Sequence, residues 1–359
     1  MLLYLLNERG LYMEYQNELF SFLHPDKNDE LSKMSNKDLD IFLNYMKNYY
    51  LSLRNQLEFS DQTTFGIELE FEYADLQQID KNIKKTKLCK SWYLHTDRSL
   101  KKGGEVSSPI LKNSEETWLD ILNMCNCINQ NALILDHSAG HIHIGAQEIN
   151  NSVDSWLQFI KLWATYENVI FRFLYGEYLT ARSSLNTYAS PLRNNFKYYC
   201  KLLTTKNNYE KQNNVSYNEY NFINKQILSS IDHKRNQAIN FNHLNTLGQK
   251  EINNTIEFRC PNGTLNPVVW QNNINMLVHL LDYSNNTAFN MDIVEARERM
   301  NEQNLFLDYN LVYLNQALEF VDLIFENNLD KIYFLKQYLK SFEIDNKPLK
   351  KAKPFTLKK

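Results

Sequence analysis

The chain changes its hydrophobic period several times, and the changes mark its elements. From Lys37 to Phe59, Leu39, Phe42, Leu43, Met46, Tyr49 and Tyr50 recur at helical spacing and predict a helix. Asp61–Gln62–Thr63–Thr64 breaks that pattern. In the next stretch Phe65, Ile67, Leu69, Phe71 and Tyr73 alternate with Gly66, Glu68, Glu70 and Glu72. A period of two with one apolar and one acidic face predicts a half-buried strand. Three more short strands follow. Glu105–Val106–Ser107 is entered from a turn at Gly103–Gly104 and closed by Pro109. AGHIHIGAQE sets His141 and His143 against Ile142 and Ile144, and NTIEFRC sets Glu257 and Arg259 against Ile256 and Phe258.

Between these strands the pattern is helical. Asn113 with Glu116 reads as an N-cap pair ahead of Trp118, Leu119, Ile121, Leu122 and Cys125. A long apolar helix is predicted from about Val153 to Leu179, and another starts at Asn266–Pro267, a cap residue followed by proline at the first helical position. Residues 309–343 are helical again, and residues 200–230 are polar, Asn-rich and assigned to no element. Strand-poor ends around a strand-bearing centre predict an α+β protein. The expected organisation is a helical segment over 1–60, a catalytic domain over 61–300, and a helical segment with a basic tail over 301–359.

Composition narrows the function classes. Of 359 residues, 43% are hydrophobic and 23% charged, ordinary for a globular protein, and the net charge of −3 argues against a nucleic-acid partner. No stretch approaches the roughly 18 apolar residues of a membrane span, and the apolar start MLLYLLNERG lacks a basic leader, so a cytoplasmic protein is expected. Five cysteines without repeated spacing are no metal knuckle; Cys125 and Cys127 read as small core residues. Neither GxGxxG nor GxxxxGK[ST] occurs, which excludes the two commonest phosphate loops.

Chemistry concentrates on the non-core faces of the strands. One carries Glu68, Glu70 and Glu72, another His141 and His143, another Glu257 and Arg259. A solvated sheet face would explain any one of them. Together they form a complementary set: carboxylates and an imidazole suit hard divalent ions such as Mg²⁺ or Mn²⁺. Clustered carboxylates repel by about 4 kcal/mol per pair at ~4 Å and an effective dielectric of 20, so cations are needed to keep them ionised. An adjacent arginine fits a phosphoryl group. Of the two histidines, His141 is favoured as a ligand because Ala139–Gly140 leave room beside it.

In order along the chain, GIELEFE, DRSL…GEVSSP, GHIHIG and TIEFR…GTL resemble the motifs of the amidoligase family, within the carboxylate–amine ligase superfamily of glutamine synthetase. The resemblance covers roughly residues 61–290. It implies a glutamine-synthetase-like curved, mainly antiparallel sheet packed with helices, and ATP- and Mg²⁺-dependent amide formation through an acyl phosphate. It makes Glu68 and Glu70 feeders of two metal sites, Glu105 a further ligand, and His141 and Glu257 ligands of the metal bridging the ATP phosphates. Arg259 steadies the phosphoryl transfer, and His143 orients substrate or supports the metal shell. Arg182, Arg193 and Arg235 are candidate phosphate or carboxylate anchors, Asn240 a polar site residue, and Asp97 a group to polarise the amine. The partners implied are a carboxylate and an amine from amino acids, peptides or cell-wall-like compounds, and relatives that form rings allow a homo-oligomer. Two other readings are open from the residues: a two-metal phosphoesterase or nuclease, and a phage or mobile-element interaction protein with an inactive ligase core.

Overall fold

A computed structural model describes residues 23–24, 27–47, 49–88, 91–149, 153–192, 235–244, 254–286 and 313–340. The predicted α+β architecture is present: a seven-stranded sheet with helices packed on it. The strands are β1 (Thr64–Phe71), β2 (Tyr93–Asp97), β3 (Gly103–Ser107), β4 (Leu111–Lys112), β5 (Gly140–Gly145), β6 (Ile239–Asn240) and β7 (Thr255–Phe258). They lie in the order β2-β3-β1-β5-β7-β6, with β4 on the start of β1, and every pairing is antiparallel. The helices are α1 (Asn36–Lys47), α2 (Leu76–Lys85), α3 (Glu115–Asn129), α4 (Val153–Leu174), α5 (Leu185–Tyr188), α6 (Pro267–Asn286), α7 (Leu314–Ile324) and α8 (Asn328–Leu339).

The apolar face of the sheet makes the core. Phe65, Ile67, Leu69, Val106, Ile142, Ile144, Ile256 and Phe258 are all buried. Trp118 of α3 stacks on Phe65 at 5.4 Å, and Trp163 of α4 stacks on Phe258 at 5.6 Å. Such aromatic contacts add about 0.5–1.5 kcal/mol each to the burial they accompany. Trp270 of α6 fills the space under Gly140, where a Cβ would lie 2.6 Å from its ring and 3.0 Å from the Asn262 carbonyl. Gly140 therefore serves the core. It points away from the histidine face, so it is not the opening for a ligand that the sequence suggests at His141.

Several boundaries differ from the sequence expectation. The first helix stops at Lys47, and the chain beyond it is bonded by distant side chains. Arg54 N–H donates to Gln271, and Leu57 N–H donates to Asn113, whose amide returns bonds to the Leu57 and Phe59 carbonyls. Asn113 is thus occupied as a clamp, and Ser114 caps α3 by accepting from Thr117 N–H at 3.3 Å. The long helix ends at Leu174 and is kinked at Tyr166 (φ −107°, ψ 16°), whose hydroxyl donates to Glu319 on α7. Gly103 and Gly104 open β3 itself. The turn before them spans residues 98–102, and a Cβ on either glycine would meet Phe71 O at 2.2 Å or His95 O at 2.5 Å. Asparagine also breaks the C-terminal helical run: Asn327 accepts from Asp330 N–H at 2.8 Å and starts α8 afresh.

The flanking segments share this core and bond to one another. Asp322 on α7 accepts from Leu31 and Ser32 N–H, and the Lys331 ammonium on α8 reaches Asp322 at 2.8 Å and the Asp29 carbonyl at 2.7 Å. Arg54 pairs with buried Asp330 at 2.6 Å and stacks over Tyr333. Breaking a buried ion pair of this kind by removing one partner costs about 3–5 kcal/mol. No described helix is long and apolar enough to cross a membrane.

Candidate active site on the polar face of the sheet

Strand register brings the polar residues into adjoining rows. Gly66 faces His143, His143 faces Glu257, and Glu257 faces Asn240. In the next row Ser107 faces Glu68 and Glu68 faces His141. In the third, His95 faces Glu105 and Glu105 faces Glu70. Arg259 follows directly on β7. Facing residues on antiparallel strands sit about 4.5–5.5 Å apart, so residues scattered over nearly 200 positions become neighbours through register alone.

The contacts within this face are dense. His141 Nδ1 lies 2.8 Å from one oxygen of Glu68, and His143 Nε2 lies 3.2 Å from the other. His141 also approaches Glu70 at 3.8 Å and Glu257 at 3.9 Å, so it stands between the acids. Glu70 accepts from Ala139 N–H at 2.8 Å, and Glu105 accepts from the Ser107 hydroxyl at 2.9 Å. Glu257 is held on one oxygen by Arg259 and on the other by the Asn240 amide. Two sets of three donors close to within 4.8 Å of one another: Glu68, His143 and Glu257, and Glu70, Asp97 and Glu105.

Electrostatics follow the geometry. Burial works to raise the Glu68 carboxyl, but hydrogen bonds and charge from His141 and His143 overcome it and hold the group well below the usual carboxylate range. The same contact raises His143 against the opposing effect of burial. Burial likewise opposes ionisation of Glu257, and the Arg259, His141 and His143 charges outweigh it. Glu105 goes the other way: burial raises it, and the charge of Glu68 adds to that. Imidazoles and Arg259 thus compensate the Glu68–Glu257 set, whereas the Ser107 hydroxyl bond and the charge of His141 do not overcome burial at Glu105.

A cavity of about 690 Å³ opens over this face, bordered by Glu68, Glu70, Asp97, Glu105, His141 and Arg259. A second space of about 380 Å³ lies toward Gly66, His143 and Thr255 and shares Glu68 with the first.

Of the expected anchors, Arg235 and Arg182 border the larger cavity, but they differ in kind. Arg182 is buried, and its guanidinium donates to the Pro261 carbonyl at 2.5 Å, the Arg259 carbonyl at 2.6 Å and the Cys260 carbonyl at 3.3 Å. It braces the chain that carries Arg259, and among the described residues only its Nε–H is without a partner. Arg235 is exposed. Asn240 acts through Glu257, and Arg193 lies outside the described residues. Asp97, expected to polarise the amine, lies with Glu70 and Glu105 in the second donor set. His243 was not expected. Its Nε2 lies 3.3 Å from Glu257, and its ring meets His143 edge-on at 5.7 Å. Its only sequence signal is its place three residues after Asn240.

The family model described as "Putative amidoligase enzyme" matches residues 85–281, more than half of the chain. The chain belongs to this amidoligase family. It is a family of ligase-type enzymes, and the matched span holds every strand of the site face except β1. No curated protein matches the chain.

Proposed function

We propose that this amidoligase joins a carboxylate to an amine at the expense of ATP, through an acyl phosphate, on a glutamine-synthetase-like sheet. The observation that carries the reading is the pair of donor sets side by side on one sheet face, with Arg259 bonded into one of them. The donors fit Mg²⁺ or Mn²⁺: five carboxylates and one imidazole make an oxygen-dominated set suited to hard cations. Glu68, His143 and Glu257 would hold one ion and Glu70, Asp97 and Glu105 the other, with His143 in the ligand place expected of His141, and His141, between the acids, buttressing both sets. When bound, such ions neutralise the acids and draw ATP phosphates and a carboxylate to the same face.

The chain's own residues account for the remaining requirements. Arg259, fixed by Glu257 and by its Nε–H bond to the Tyr188 carbonyl at 3.3 Å, is placed to pair with the oxygens of the transferring phosphoryl group. The acceptor carboxylate takes the γ-phosphoryl group and ADP leaves. The amine then attacks the acyl carbon and phosphate departs, so one ATP is converted to ADP and phosphate for each amide formed. The two spaces that share Glu68 suit two ligands meeting at the donor sets, the polar 690 Å³ cavity for the acceptor and the 380 Å³ space for the nucleotide. Incubation with ATP, Mg²⁺ and mixed amino acids and peptides should give ADP and a product lighter than its two substrates by one water. Phosphodiester cleavage without nucleotide would favour a two-metal phosphoesterase instead.

A further inference from the structure

The sheet has an open edge beside the site. β2 ends the strand order, and among the described residues nothing pairs with its outer side. Its sequence, Tyr-Leu-His-Thr-Asp, holds no proline, lysine or bulge of the kind that commonly guards an edge strand. Tyr93, His95 and Thr96 are exposed, Tyr93 at 59%. The strand runs straight into the chemistry: Asp97 at its end belongs to a donor set and borders the large cavity, and His95 faces Glu105.

The turn that follows has a marked charge. Arg98, Lys101 and Lys102 are all exposed, and no ion pair joins them among the described residues. The turn is well anchored. Asp97 accepts from Ser99 N–H at 2.7 Å, and the Lys101 and Lys102 carbonyls accept from Tyr73 and Ala74 N–H, both at 2.9 Å. Three cations are therefore displayed at a fixed place beside an acidic floor.

We infer that the acceptor is an acidic peptide segment that adds to the outer edge of β2 as an extra strand, with the cationic turn 98–102 at its flank. The inference rests on the ligase reading of the site and names its substrate class. Added strands lie about 4.8 Å from their neighbour, which sets such a peptide about 5 Å from β2 and about 10 Å from β3. Alternate side chains of the peptide then stand on the same face as His95, Asp97 and Glu105. An aspartyl or glutamyl side chain from that row leans over Asp97 toward the donor set of Glu70 and Glu105. Main-chain bonding supplies affinity with little demand on sequence, and Arg98, Lys101 and Lys102 supply the preference for acidic residues.

Binding can be read without ATP or metal, using the full chain and a fluorescein-labelled ten-residue peptide of alternating Thr and Glu. Anisotropy should show binding, hydrogen exchange at residues 93–97 should slow, and the alternating Thr–Lys peptide should not bind. N-methylation of alternate residues should weaken binding at least about tenfold in one phase and little in the other, because only one set of amides faces β2. The triple variant Arg98→Glu, Lys101→Glu, Lys102→Glu should weaken it about tenfold at low salt and less at high salt. Equal effects of the two N-methyl phases, or no slowing at β2, would overturn the proposal. Concentration-dependent slowing at β2 without peptide would also overturn it, by assigning the edge to a second copy of the chain. Peptide binding without any ATP turnover would sink the ligase reading alone. Turnover on free amino acids with β2 untouched would sink this inference alone.

Discussion

Arg182 allows a sharp separation between a substrate anchor and an internal brace. In the structure its guanidinium is buried and donates to the carbonyls of Arg259, Cys260 and Pro261, while its own N–H is held by Asn262 at 3.0 Å. Burial draws its pKa down to about 10, so the group is still charged at neutral pH. Replacing it by methionine keeps much of the volume but takes the guanidinium from the Arg259 and Cys260 carbonyls, while the Pro261 carbonyl keeps the Gly140 N–H at 3.1 Å. Charge-assisted bonds contribute about 1.5–3 kcal/mol each, yet they share one group and do not add, so a loss of about 3–5 kcal/mol is expected. For a chain of this size that lowers the melting temperature by about 4–7 °C. The assay is thermal and urea denaturation of Arg182→Met beside nucleotide titration at a temperature where the variant is folded. Stability should fall and nucleotide affinity of the folded protein should change little. An unchanged melting temperature with nucleotide binding lost tenfold or more would refute the brace and restore the anchor.

Other outcomes follow from the same contacts. Glu177 has its carboxyl raised to about 7, chiefly by burial, with the Thr264 hydroxyl donating to it at 2.7 Å as partial relief. Its folded pKa lies above the unfolded value of 4.5, so the native state holds the extra proton, and stability is lost as pH rises from about 4.5 through about 7. Glu177→Gln should therefore stabilise the protein by about 2 kcal/mol at pH 8 and hardly at all at pH 4, read from urea midpoints; an equal gain at both would contradict it. Gly140→Ala should cost about 1–3 kcal/mol, because Trp270 and the Asn262 carbonyl occupy the space; a stable variant that had lost only ligand binding would show the glycine to serve the site. Glu257→Gln should weaken Mn²⁺ binding at least about tenfold by calorimetry, whereas Arg259→Ala should spare the metal and slow turnover by about 10²–10³-fold. The same drop in stability for both, without these separate effects, would make the pair structural.

The parts of the fold that sequence reading recovers are those whose period is set by one buried face. β1, β5 and β7 alternate because one side of each packs on α3, α4 and α6, and the same alternation sorts Glu68, Glu70, His141, His143 and Glu257 onto the other side. β2 escaped that reading because an edge strand with Tyr93, His95 and Thr96 all exposed has no buried face to write a period. β6, two residues long, is too short to show one. The spacing carries the first helix too far because Tyr49 and Tyr50 continue it, although the chain after Lys47 bonds instead to Asn113 and Gln271. Register was also beyond reach. Without knowing that Glu105 faces Glu70, the grouping of Asp97 with both could not be seen, nor could that of His243 with Glu257. Gly140 shows the converse: small size next to a histidine suggests room for a ligand, but its direction on the strand gives that room to Trp270.

The most direct test of the ligase account follows the oxygen. With an acceptor peptide labelled with ¹⁸O in its carboxylates, ATP, Mg²⁺ and an amine, the account predicts ADP, an amide and inorganic phosphate carrying one ¹⁸O per amide formed. Amide formation with no label in the phosphate, or phosphate released at the same rate without acceptor, would contradict it.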